Sequence, residues 1–323
     1  MKKGKPQLSF TQVLDGLFQS DQIDIPLVYR LSDILPAELE QFSRRWPGIA
    51  DDRRRELVQH MADISEENYE VDFSQVLGVC LEDKLPAVRK IALDGLWDTT
   101  RVGLVTPIIA CMSEDPEVGV QAAAARTLAH FILLSAWGQI ARPVADRVVA
   151  ALLSVYHNVS RAPAVRQAAL EALGASDHPD VPDLIATAYE TNQVEWQMSA
   201  LYAMGNSADV RWLETVLGEL ESPDAETRAI AARAAGEIGR SEAIDPLLDL
   251  VYDEDADVQT AAIKALGQIG DEHALKILNR LAEDENLEPF YDLIDETLEE
   301  MDWRQGPLDL LNFDPGDEDE RND

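Results

Sequence analysis

Apolar and small residues recur at helical spacing through VQTAAIKALGQIG, residues 258 to 270, where positions 258, 261, 262, 263, 265, 266 and 269 alternate with Gln259, Thr260, Lys264 and Gln268. The spacing predicts an amphipathic helix closed by a glycine that tolerates a left-handed backbone. A phosphate-binding glycine loop would instead follow a strand and open a helix. The pattern returns in TRAIAARAAGEIG from 227, WQMSALYAMGNSA from 196 and VRQAALEALGASD from 165, and more loosely from Val120 and Val88. The six starts are separated by 32, 45, 31, 31 and 31 residues. Aligned, the fifth column is Ala92, Ala124, Ala169, Ala200, Ala231 and Ala262, which keeps one helix face small and predicts close approach of a neighbouring helix. The tenth is Gly174, Gly205, Gly236 and Gly267, with Trp97 and Ala129 departing from it. A second amphipathic segment follows each copy, as in AIDPLLDLVYDED and DVRWLETVLGELE. The expected fold class is therefore all-α: stacked antiparallel helix pairs forming one elongated domain with a continuous core.

The repeat pattern V(R/Q)xxAxxALGxxG, followed by a P-L-L-x-L helix and an acidic loop, resembles HEAT repeats. The match is to the short, roughly 31-residue variety of bacterial HEAT-like proteins that includes phycobilisome-lyase relatives, and it covers Asp72 to Asp284. The resemblance implies an α-α superhelix whose second helices line an inner wall. It also implies a ladder of polar side chains joining the repeats. The function it implies is that of a non-enzymatic scaffold or adaptor for another protein or peptide; the alternative is an accessory or catalytic subunit of a bilin (phycobilin) lyase.

The repeats divide the chain into four parts. Residues 1–70 are expected to be a helical cap with a degenerate first repeat, 71–285 the repeats, 286–305 a capping helix and 306–323 an acidic tail. Between Val120 and Val165 the period stretches by 14 residues, giving an enlarged unit at about 129–160. Phe131, Leu134 and Trp137 in that unit either pack internally or form an apolar contact surface for a partner. In the tail, Leu308, Leu310, Leu311 and Phe313 either dock on the last helices, near Leu293, Leu298 and Trp303, or are held out as a peptide motif.

Charge narrows the partner. The 61 acidic and 27 basic residues give a net charge of −34, which disfavours nucleic acid and anionic membranes. Asp183, Glu214 and Asp245, then Lys276, hold equivalent positions on four successive second helices; Asp249 lies one turn beyond Asp245, and Trp212 and Tyr252 border the stripe. This column is either a docking face for a basic partner or a solvated face. A second column, Arg89, Gln121, Arg166, Gln197, Arg228 and Gln259, sits beside loop acids Asp83, Asp115, Asp224 and Asp255, and predicts stack-holding bonds to loop carbonyls and carboxylates.

Catalytic and metal chemistry find little foothold. The histidines His60, His130, His157, His178 and His273 form no ligand-spaced pair. The next residues are Met61, Phe131, Asn158, Pro179 and Ala274, so the His-Glu dipeptides by which HEAT-repeat deoxyhypusine hydroxylases hold iron are missing. No catalytic residue, metal or cofactor is expected. Cys80 and Cys111 stand where a later repeat has Leu250 and read as core residues. The start MKKGKPQLSF lacks the apolar core of a signal peptide, and FILLSAW at 131–137 is too short to span a bilayer. A cytoplasmic, bacterial protein is expected, with its oligomeric state open.

Overall fold

The computed structural model describes residues 8–68, 70–191 and 193–305, and every regular element among them is helical. The chain groups into two compact units, Met1–Glu190 and Thr191–Asp323, a division that the repeat period does not announce. The tail with Leu308, Leu310, Leu311 and Phe313, expected either to dock on the last helices or to be held out as a peptide motif, lies outside the described residues.

The first unit opens with α1 (Phe10–Gln19), α2 (Ile25–Val28) and α3 (Pro36–Arg45). Four helix pairs follow: α4 (Asp51–Glu67) with α5 (Ser74–Cys80), α6 (Pro86–Asp94) with α7 (Val105–Glu114), α8 (Val118–Ala136) with α9 (Arg142–His157), and α10 (Pro163–Leu173) with α11 (Val181–Tyr189). The second unit holds α12 (Val194–Ser207), α13 (Leu213–Glu219), α14 (Ala225–Ile238), α15 (Ile244–Leu250), α16 (Ala256–Ile269), α17 (Glu272–Leu281) and α18 (Tyr291–Gln305). Within each unit first helices stack on first helices, as α4 on α6 and α6 on α8, or α12 on α14 and α14 on α16.

Local sequence fixes the ends of these helices. Proline stands in the first turn of α3, α6, α9, α10 and α11, where its missing N–H costs nothing. Asp224, Asp255 and Asp271 accept the free N–H groups that begin α14, α16 and α17. Gly239 and Gly270 close α14 and α16 at φ of +69° and +63°, as the sequence pattern predicts.

Packing explains both small columns. Ala92, Ala124, Ala169, Ala200, Ala231 and Ala262 are all fully buried. The glycine column is tighter still in the second unit. A Cβ on Gly205 would lie 2.8 Å from Ala234 Cα, and one on Gly236 would lie 2.7 Å from Ala265 Cα. Backbone meets backbone at these crossings, so only hydrogen fits.

The enlarged unit lengthens both members of a pair, to 19 residues in α8 and 16 in α9. Its apolar residues divide by helix phase. Phe131 and Leu134 are buried in the core, so of their two readings internal packing holds and they are removed from the candidate partner contacts: α8 packs against α6, α7, α9 and α10, and that packing consumes them. Trp137, at the end of α8, is 61% exposed. By length and composition α8 could cross a membrane, but its burial among four helices accounts for its apolar character. Cys80 and Cys111 are likewise buried free thiols, and burial raises the pKa of both.

Candidate functional site

The polar ladder separates side chains committed to holding the stack from those left for a partner. Arg89 donates from Nε and Nη2 to the two carboxylate oxygens of Asp115, at 2.6 and 2.8 Å, and from Nη1 to the Asp83 carbonyl at 2.7 Å. One guanidinium thus joins the loop before its own helix to the loop before the next. Arg228 repeats the arrangement on Asp253, at 2.8 and 2.7 Å, and on the Ser222 carbonyl at 2.9 Å. Gln121, Arg166 and Gln259 each donate to a loop or helix-end carbonyl, of Asp115, Tyr156 and Val251 respectively. Asp253 takes the place in the ladder that the sequence offered to Asp224 and Asp255, which cap helices instead. The Arg228 hydrogen bonds hold the Asp253 carboxyl below its ordinary value.

Arg54 is a further rung, absent from the aligned column. It begins α4 in the degenerate first repeat and is 1% exposed. Its Nη1 donates to the Ile49 carbonyl at 2.7 Å; its Nε makes an ion-pair contact of 2.8 Å with Asp83 at an angle outside a hydrogen bond. Asp83 also accepts from Trp46 Nε1 at 2.7 Å and from the Leu85 N–H at 2.8 Å. Arg54, Asp83 and Trp46 line a groove of about 860 Å³ together with Leu39, Val79, Leu104, Lys84 and Arg101. Sequence reasoning gave no sign of this groove, because α3, α5 and the loop before α7 contribute to it from three separate stretches.

The acids of the candidate binding stripe take no part in the ladder. Glu214, Asp245 and Asp249 are exposed on α13 and α15 of the second unit, and none forms an ion pair among the described residues. Lys276, at the equivalent place on α17, is also exposed and pairs with Glu272 at 2.6 Å. Trp212 is half-buried; Tyr252 is exposed and donates its hydroxyl to Asp284 at 2.7 Å. Asp183 is exposed on α11 of the first unit. Among the described residues no group of His, Cys, Asp and Glu is placed to hold a metal ion.

Stacked antiparallel helix pairs, tied by side chains that bridge consecutive loops, define an α-solenoid repeat protein. The family model for HEAT repeats matches residues 105–205 and 213–289, more than half of the chain, and the chain belongs to that family. The complex of CpcE and CpcF of phycocyanin lyase from Nostoc sp. PCC7120 is similar in fold: TM-score 0.52 and 18% identity, over 93% of this chain and 97% of that one. Human deoxyhypusine hydroxylase in complex with glycerol overlays more loosely, at TM-score 0.35 and 16% identity over 80% of this chain and 95% of that one. The karyopherin Kap121p bound to the SUMO protease Ulp1p gives TM-score 0.43 and 12% identity, over 92% of this chain and 39% of that chain. No curated protein sequence matches the chain.

Proposed function

We propose that the chain is a non-enzymatic scaffold that binds a basic protein or peptide along the second-helix face of its repeats. One observation supports this above others. Glu214 and Asp245 are exposed at matching places on consecutive second helices, with Asp249 one turn beyond, and none of the three forms an ion pair among the described residues, whereas Arg89, Asp115, Arg228 and Asp253 are held inside the stack. With 61 acidic and 27 basic residues, one-to-one pairing leaves 34 carboxylates without a basic partner in any fold. Acids in register along a repeat array complement a cationic segment, steering its approach and selecting against acidic competitors. Two buried free cysteines suit a reducing, cytoplasmic setting.

The fold shared with the lyase subunits carries no chemistry across by itself. A bilin-lyase role has no side-chain argument beside it, so the scaffold reading is preferred.

The test compares affinity capture by the wild-type chain and by Glu214→Lys combined with Asp245→Lys. Both substituted positions are exposed, so the variant should melt as wild type does. The expected result is a basic protein retained by wild type, released by raised salt and lost from the variant. Capture that survives both salt and charge reversal would remove this face from the account.

A further inference from the structure

The first-helix face of the second unit carries charges of both signs in register. Glu226 and Asp257 stand 31 residues apart, in the first turns of α14 and α16. Arg233 and Lys264 repeat that separation seven residues further along the same two helices. Seven residues advance a helix by about 10 Å and return it to nearly the same side, so each acid shares a helix face with its base. Arg228, early in α14, reaches Asp253 just ahead of α16, and Gly236, late in α14, meets Ala265 late in α16, so the two helices run the same way. The result is a row of two acids beside a parallel row of two cations. The cation row stops at α14, because the position equivalent to Arg233 on α12 is Tyr202.

These four side chains are available at the surface. All are exposed, and Glu226, Asp257 and Lys264 form no ion pair among the described residues. Arg233 lies over the Tyr202 ring, 5.0 Å from its centroid, and touches Asn206 at 3.2 Å and Glu237 at 3.6 Å. The four charges line a groove of about 730 Å³ together with Ala229 and Ala261, whose small side chains leave room above them.

A net charge of −34 sets copies of this chain against one another, so self-contact needs a face on which opposite signs come into register. This face has that property. A half-turn about an axis through the groove reverses the helix direction and lays the acid row of one copy on the cation row of the other. Glu226 then meets Lys264 of the second copy, Asp257 meets Arg233 of the second copy, and symmetry makes each pair twice.

We propose that α14 and α16 bind a second copy of the chain across a two-fold axis, through these four ion pairs. The aliphatic stems of Arg233 and Lys264 of the second copy lie over Ala229 and Ala261. The contact uses first helices alone, so it neither consumes the acids of the second-helix stripe nor depends on the scaffold reading.

Sedimentation equilibrium of the full-length chain over a concentration series tests the proposal. Wild type should dimerise. Glu226→Lys with Asp257→Lys, and separately Arg233→Glu with Lys264→Glu, should each weaken the dimer at least about tenfold, since like charges then face each other. An equimolar mixture of these two variants should dimerise again, with one copy of each in the dimer by native mass spectrometry, which also shows that both remain folded. Glu214→Lys with Asp245→Lys alters the net charge as much as the first variant and should leave the dimer intact. A wild-type chain that stays monomeric would overturn the proposal while leaving the second-helix stripe untouched. Dimers that persist in both reversed variants, a mixture that fails to associate, or equal loss in the stripe variant would overturn it as well.

Discussion

Gly236→Ala sets helix propensity against packing, and the structure gives the sign. Alanine is the better helix former, by about 0.5–1 kcal/mol over glycine inside a helix. At position 236 the new Cβ would lie 2.7 Å from Ala265 Cα and 2.9 Å from Ala265 Cβ, and it would also meet the Gln268 side-chain amide. The amide can rotate away. Ala265 cannot, because its backbone belongs to α16, so α14 and α16 must separate along a contact that buries Ala231, Ala235 and Ala262. Overpacking of this kind costs about 1–3 kcal/mol, which leaves a net loss centred near 1 kcal/mol, within a range of about 0–2.5 kcal/mol, after the propensity gain. Gly218 in α13 supplies the control, since a Cβ there meets nothing within 4 Å. Gly218→Ala should therefore stabilise by about 0.5–1 kcal/mol. Urea titrations followed by far-ultraviolet circular dichroism should move the two midpoints in opposite directions. A Gly236→Ala midpoint at or above wild type would refute the close helix crossing.

The ladder yields two further expectations. Arg54→Ala leaves the Asp83 carboxylate buried without its cation and should cost about 3–5 kcal/mol, read as a lowered urea midpoint; a change below about 1 kcal/mol would contradict a buried pair. Asp253, held by Arg228 below its ordinary value of 3.8, binds protons less readily folded than unfolded, so its contribution is complete above that value and is lost as pH falls through the folded one. Acid titration of Arg228→Ala should show a shallower loss of stability below about pH 4 than wild type, and an unchanged slope would remove Asp253 from the ladder.

Much of this architecture was written in the spacing. The alanine column, the glycine helix stops and the Arg/Gln column each follow from a period of 31 that survives as plain text, because every repeat meets the same neighbour. The reason for the glycines at 205 and 236 was not legible, since it lies in the backbone of the next helix. Arg54 escaped notice because ADDRRRELVQH lacks the small-residue face that marks the other first helices. Its signal was an arginine just inside a helix start, followed one repeat later by a loop aspartate. Composition left Phe131 and Leu134 open between internal packing and a partner contact, although helix phase already set them beside Leu128 and Ala124 on the inward side. The acidic stripe was legible as a column, but its freedom from ion pairs required coordinates.

The scaffold role depends on which carboxylates meet the partner. Carbodiimide cross-linking of the captured complex, which joins a carboxylate directly to a contacting lysine, followed by mass spectrometry, measures this most directly. Cross-links are expected from partner lysines to Glu214, Asp245 and Asp249. Cross-links confined to Glu82 at the rim of the first-unit groove, or to first-helix acids such as Glu226 and Asp257, would contradict it.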